Sequence, residues 1–150
     1  MSRPPTMLPI RPQVARFAST RLHRTMLQTA RMRSRLERSY RFEAAHYLPR
    51  VPAGHKCARM HGHSYEIQLA IEGEVDSELG WVMDFAAMDD HALPLVKLLD
   101  HQVLNEIEGL ENPTIEWVAA WWWHRLRPVM PQLVEVAAAE TISSRCIFRG

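Results

Sequence analysis

Cysteine is scarce in this chain: Cys57 and Cys146 are the only two in 150 residues. Two thiols cannot build a disulfide framework or a four-cysteine structural metal site. A zinc finger of the Cys2His2 type is also excluded, because it needs a closely spaced cysteine pair and these two lie far apart. With no recognisable secretory leader, a reducing, cytoplasmic location is the expectation. Long apolar runs are lacking too; none approaches the roughly 18 residues of a membrane span, so no membrane partner is expected. Acidic residues are missing from positions 1–36, which hold eight arginines, so that this segment carries +8 against −7 for the rest and a net charge of +1. An Arg-rich, acid-free leader suits a transit segment or a nucleic-acid arm. It also suits a plain disordered extension or a start assigned too far upstream, since Met26 and Met32 precede the first patterned segment. The segment has no sustained apolar face and no interleaved aromatics for stacking on bases, so no nucleic-acid partner is expected. The resulting division is a basic, disordered extension (or misassigned start) over 1–36 and one folded domain over 37–150, a length able to bury a core.

Order begins at "SYRFEAAH", where Tyr40, Phe42, Ala44 and His46 alternate with Arg41, Glu43 and Ala45 in the period of a half-buried strand. The Pro- and Gly-rich "YLPRVPAGHKCARM" reads as a loop. From His61 the alternation resumes through His63, Tyr65, Ile67, Leu69 and Ile71, predicting a long second strand. "EGEVDSELGW" reads as a turn, "WVMDF" as a short strand, and Phe85 to about Leu99 as a helix capped by Asp84 and kinked at Pro94. "LLDHQVLNEIEGLENP" is a loop-like connection. Asn112 as cap and Pro113 in the first turn open a second helix with Ile115, Val118, Ala119, Trp122 and Leu126 on one face. Trp121, Trp122 and Trp123 cannot all share that face. Either one is core and another covers a neighbouring loop, or they serve a subunit interface, where tryptophan is enriched. "QLVEVAAAET" and "RCIFRG" close the chain as two strands about a tight turn. The fold class is α+β, with mainly hairpin-linked antiparallel strands.

In a strand, residues two apart point the same way, so His61 and His63 project side by side, with Gly62 between them adding no side chain. His46, ending the apolar face of a neighbouring strand, is the natural third donor. Three imidazoles and one open position form the arrangement of catalytic zinc; hydrogen-bonded core histidines are the alternative. Cys57 is either a fourth ligand or, fitting an open site better, a thiolate base beside the metal, with Lys56 and Arg59 close in sequence. Cys146, in an apolar strand, reads as a buried structural residue. Asp100 and His101 are adjacent in an irregular segment, where a carboxylate–imidazole proton relay can converge. Glu140 follows a run of small apolar residues. If buried it needs donors, and a heterocycle with two adjacent N–H groups would satisfy both oxygens; otherwise it is an ordinary strand-end glutamate.

"FEAAH", "CARMHGHSY", "WVMDF", "LDHQVLN", "ENPT" and "ETISSRCIFRG" together resemble, in order and spacing, the 6-pyruvoyl-tetrahydropterin synthase superfamily over about residues 38–150. The three residues between Cys57 and His61, the "GLENPT" phrase and the "RCIFRG" ending resemble most its bacterial branch, the 6-carboxy-tetrahydropterin synthases of queuosine and 7-deazaguanine synthesis. The resemblance implies a T-fold (tunnelling fold) catalytic domain: an antiparallel four-stranded sheet with two helices packed on one face. It implies barrel assembly into homo-oligomers, trimers pairing into hexamers, with active sites between subunits. It implies Zn2+ on His46, His61 and His63, with Cys57 as base, Asp100 and His101 as proton relay, Glu140 as pterin anchor and Thr114 as a second substrate contact. The implied small-molecule substrate is 7,8-dihydroneopterin triphosphate, converted with water to 6-carboxy-5,6,7,8-tetrahydropterin, acetaldehyde and triphosphate. Lys56, Arg59 and Arg149 are candidates for holding the triphosphate. The rival outcomes are a 6-pyruvoyl-tetrahydropterin synthase, which eliminates triphosphate without releasing acetaldehyde, and a non-catalytic zinc- or RNA-binding protein.

Overall fold

The structure, a computed structural model, describes residues 31–150. The expected disordered extension therefore lies outside the described residues except at its last few positions. Of those positions, 33–36 belong to a strand. β1 runs Arg33–His46, beginning before the hydrophobic alternation does. In its early half only Leu36 reaches the core, and charge does the rest: Arg35 reaches Glu37, Glu72 and Glu135 at 2.7, 3.2 and 2.7 Å. Such cross-strand ion pairs leave no trace in a hydrophobic period.

β2 spans His61–Glu74 and pairs antiparallel with all of β1, setting His46 opposite His61 and Ala44 opposite His63. After helix α1 (Phe85–Leu99) comes β3, only Gln102–Val103, which lies parallel to Ala44–Ala45 of β1. Helix α2 (Ile115–Leu126) precedes β4 (Leu133–Thr141) and β5 (Ser144–Phe148). The sheet order is β3-β1-β2-β4-β5. The expected four-stranded antiparallel sheet is thus a five-stranded mixed one, because two residues are too few to show an alternation. "WVMDF" is not a strand: residues 81–83 are bends, and Asp84 turns its carboxylate onto the Ala86 N–H at 2.9 Å to cap α1. The cap of α2 is Thr114 rather than Asn112, and it acts without a side-chain hydrogen bond. Pro113 stays outside the helix, and its carbonyl serves His46.

The apolar parity reads as expected. Tyr40, Phe42, Tyr65, Ile67, Leu69 and Ile71 are buried against Met88, Ala92 and Leu99 of α1 and Val118, Ala119, Trp122 and Leu126 of α2, so both helices cover one face of the sheet. Helix α1 continues through Pro94 and is clamped by Asp89, which takes two bonds from Arg38 at 3.0 and 2.7 Å and one from the Tyr40 hydroxyl at 2.9 Å. The three tryptophans divide. Trp122 is fully buried and stacks with Tyr40 and Phe42. Trp121 covers the preceding loop, donating its indole N–H to the Glu108 carbonyl at 2.9 Å, and Trp123 lies edge-on to Phe148.

This division predicts unequal costs. Trp122→Ala should lower the unfolding free energy by about 3–5 kcal/mol, the range for emptying a buried aromatic site. Trp117→Ala, at a position 56% exposed, should change it by less than about 0.5 kcal/mol. Urea denaturation of both variants checks the contrast.

Candidate active site and metal centre

The β1–β2 register brings three imidazoles together at one end of the helix-covered face. The ligand atoms of His46, His61 and His63 all lie within 4.8 Å of one another. Two backbone carbonyls orient the rings. His46 Nδ1 donates to the Pro113 carbonyl at 2.9 Å and His61 Nδ1 to the Arg59 carbonyl at 2.7 Å. A carbonyl can only accept, so both Nδ1 atoms carry protons and both Nε2 atoms point inward as lone pairs, the tautomer metal-binding histidines adopt. These two Nε2 atoms are 3.1 Å apart. Facing lone pairs repel unless a cation lies between them, and two nitrogens on a tetrahedral zinc stand roughly 3.3 Å apart. The donor set therefore fits zinc.

Electrostatics points the same way. Burial, reinforced by the charges of His61 and His63, pushes His46 down to about 4 despite the opposing Pro113 bond. Burial and His61 also lower His63. Neutral imidazoles are the metal-ligating form.

Glu140 approaches this cluster, its Oε1 3.9 Å from His46 Nε2. Burial holds its carboxyl above the usual range, Glu116 adds to this, and His61 and Tyr65 oppose it. His63 and Glu140 line one cavity of about 960 Å³, whose rim is the β4–β5 turn, Thr141 to Arg145. Gly62 and Ser64 open into the same space from the opposite parity. Gly62 thus relieves crowding on the other face of the sheet rather than around the ligands, where a Cβ would meet the Ala44 carbonyl at 3.3 Å.

Asp100 and His101 converge as an irregular segment allows. His101 takes a left-handed backbone, φ 59°, and its Nδ1 lies 3.0 Å from Asp100 Oδ2. The pair is clamped to β1 at Glu43, whose N–H donates to Asp100 Oδ1 at 2.9 Å and whose carbonyl accepts from the His101 N–H at 2.6 Å. The Glu43 bond, then His101, holds the Asp100 carboxyl below its usual range. His101 and His63 line a second groove of about 420 Å³.

Cys57 sits half-buried in a 3-10 turn, Lys56–Ala58, capped by the His55 ring. It is free, and its sulfur is outside the three-histidine set. Thr114 is at the start of α2 and lines neither cavity. Of the cations expected to hold phosphate, Arg149 is bound to Glu135 at 3.0 and 2.9 Å. Arg145, absent from that expectation, lines the cavity beside Glu140. Also unforeseen were the Pro113 and Arg59 carbonyls, which no side-chain pattern reveals, and Tyr65, whose strand parity with the histidines was the available signal.

A three-imidazole cluster at the end of a sheet, with a half-buried carboxylate in an adjoining cavity, is consistent with a metal site on an α+β fold. The chain belongs to the 6-pyruvoyl tetrahydropterin synthase family, matching it over residues 35–150. It is 42% identical to a 6-carboxy-5,6,7,8-tetrahydropterin synthase of Synechocystis over 71% of this chain and 86% of that protein. A dihydroneopterin monophosphate aldolase of Pyrococcus furiosus is 34% identical over 67% of this chain and 81% of that protein. Among solved structures, the 6-pyruvoyl tetrahydropterin synthase of Caenorhabditis elegans superposes with a TM-score of 0.74 at 27% identity, covering 79% of this chain and 96% of that one.

The lowered His46 makes a signed prediction for metal-free protein. Its proton affinity is higher unfolded, about 6.5, than folded, about 4. The unfolded state therefore takes up more protons as the pH drops, so stability is full above about 6.5 and is lost as the pH falls through about 4. The loss should be on the order of 3 kcal/mol. Urea titrations of chelated protein from pH 7 to 4 measure it, and His46→Gln should lack that part of the slope.

Proposed function

We propose that this chain is a zinc-dependent 6-carboxy-5,6,7,8-tetrahydropterin synthase, a carbon–carbon lyase acting on 7,8-dihydroneopterin triphosphate. The observation that carries the reading is the histidine triad, in which the tautomers of His46 and His61 suit a metal and His63 lines one cavity with Glu140. The 42% identity to the Synechocystis synthase supports the carboxy product over the pyruvoyl one.

His46, His61 and His63 would hold the zinc. When bound it supplies a Lewis acid that acidifies substrate hydroxyls. Glu140 accepts the two adjacent N–H groups of the pterin edge, which fixes the ring in the cavity; Thr114 is a second contact. Cys57 removes the proton beside the ring as thiolate base. Asp100 keeps the proton of His101 on Nδ1, leaving Nε2 to exchange protons with the substrate side chain as triphosphate leaves and the carbon–carbon bond breaks. Arg145 is the cation of that cavity with no carboxylate in ion-pair range among the described residues, and it suits the triphosphate better than Arg149.

A second copy completes the site in this reading. β5 borders the sheet on one side, and on the other Arg33–Glu43 of β1 has no outer partner among the described residues. Copies can add edge to edge, and a trimer or hexamer is expected by light scattering.

Purified protein given 7,8-dihydroneopterin triphosphate should release acetaldehyde stoichiometrically with the carboxylated pterin. A pyruvoyl product without acetaldehyde would overturn the assignment. Cys57→Ala should retain zinc and lose about 10²–10⁴ of the rate. His63→Ala should lose the zinc, measured by elemental analysis.

A further inference from the structure

Two polar groups face each other beside the triad, and each offers what the other needs. The Tyr65 hydroxyl is buried and makes no hydrogen bond. Its ring stacks on Phe42 at 5.0 Å and stands edge-on to His46 and His63 at 5.9 and 5.8 Å, so packing leaves it no room to swing. Glu140 is the neighbouring carboxylate. The β2–β4 register pairs Glu66 with Ala139, and one further step sets Tyr65 across from Glu140 on the same face.

The approach of Glu140 to His46 is no substitute. His46 gives its Nδ1 proton to Pro113, so the Nε2 atom 3.9 Å from Glu140 is a lone pair and donates nothing. That leaves the Tyr65 hydroxyl, a rotor that can donate, as the protein group placed to hold the carboxylate.

We propose that Tyr65 is the positioning residue of Glu140. In the ligand-bound state its hydroxyl donates to one Glu140 oxygen and turns the carboxylate so that both oxygens meet the N–H pair of an aminopyrimidinone ring. Each oxygen has two lone pairs, so one can accept from tyrosine and ligand together. The proposal rests on Glu140 as the pterin anchor and adds the residue that aims it.

The test is neopterin binding, followed by fluorescence, to zinc-loaded wild type, Tyr65→Phe, Glu140→Gln and the double variant. Tyr65→Phe keeps the ring that packs the core. It should retain zinc and an unchanged or higher denaturation midpoint, bind neopterin about five- to tenfold more weakly, and raise KM more than it lowers kcat. Glu140→Gln should weaken binding much further, and the double variant should be no weaker than Glu140→Gln alone. Unchanged binding in Tyr65→Phe, loss of its zinc, or additive losses in the double variant would each overturn the role of Tyr65. If Glu140→Gln also binds normally, the anchor reading itself fails.

Discussion

The Nε2 atoms of His46 and His61 are held 3.1 Å apart by two backbone carbonyls that claim the opposite nitrogen of each ring. That enforced encounter of lone pairs is where fold and chemistry meet. It depends on the β1–β2 register, since a slip of one residue would send His61 and His63 to the other face. It depends equally on the chain entering α2 with Pro113 outside the helix, where its carbonyl is not used by a helical turn. The buried stack of Phe42, Tyr65 and Trp122 ties these two elements together beneath the site. Folding assembles the ligand set, and metal binding would in turn favour the assembled state.

Much of this was legible from one-dimensional pattern. The period-two runs ending in His46 and beginning at His61 located the strands, the buried face and the triad, because strand geometry leaves side chains little choice of side. Asp100 and His101 could be paired only as a possibility in an irregular segment; the left-handed turn at His101 that brings them together is a backbone conformation no residue pattern announces. β3 was hidden by its brevity, and the early half of β1 by being held through arginines and glutamates. The carbonyls of Arg59 and Pro113 were hidden most completely, since every residue has one and only the fold decides which matter. Arg149 shows the opposite error: a cation suitable by type is already engaged by Glu135.

The face of the sheet away from α1 and α2 follows another logic. Arg41 pairs with Glu66, Ser64 with Glu43 and Gln68 with Glu37, so cross-strand partners satisfy one another there. A face built this way tolerates water, and an assembly of copies can leave it wet instead of sealing it.

His101 carries a different consequence. Glycine enters the left-handed region without penalty, whereas an L-residue with a side chain does so at some expense in backbone energy. A glycine there would relax the turn while removing the imidazole that Asp100 orients. At this one position the backbone accepts strain, and what the chain keeps in return is an imidazole held against a carboxylate.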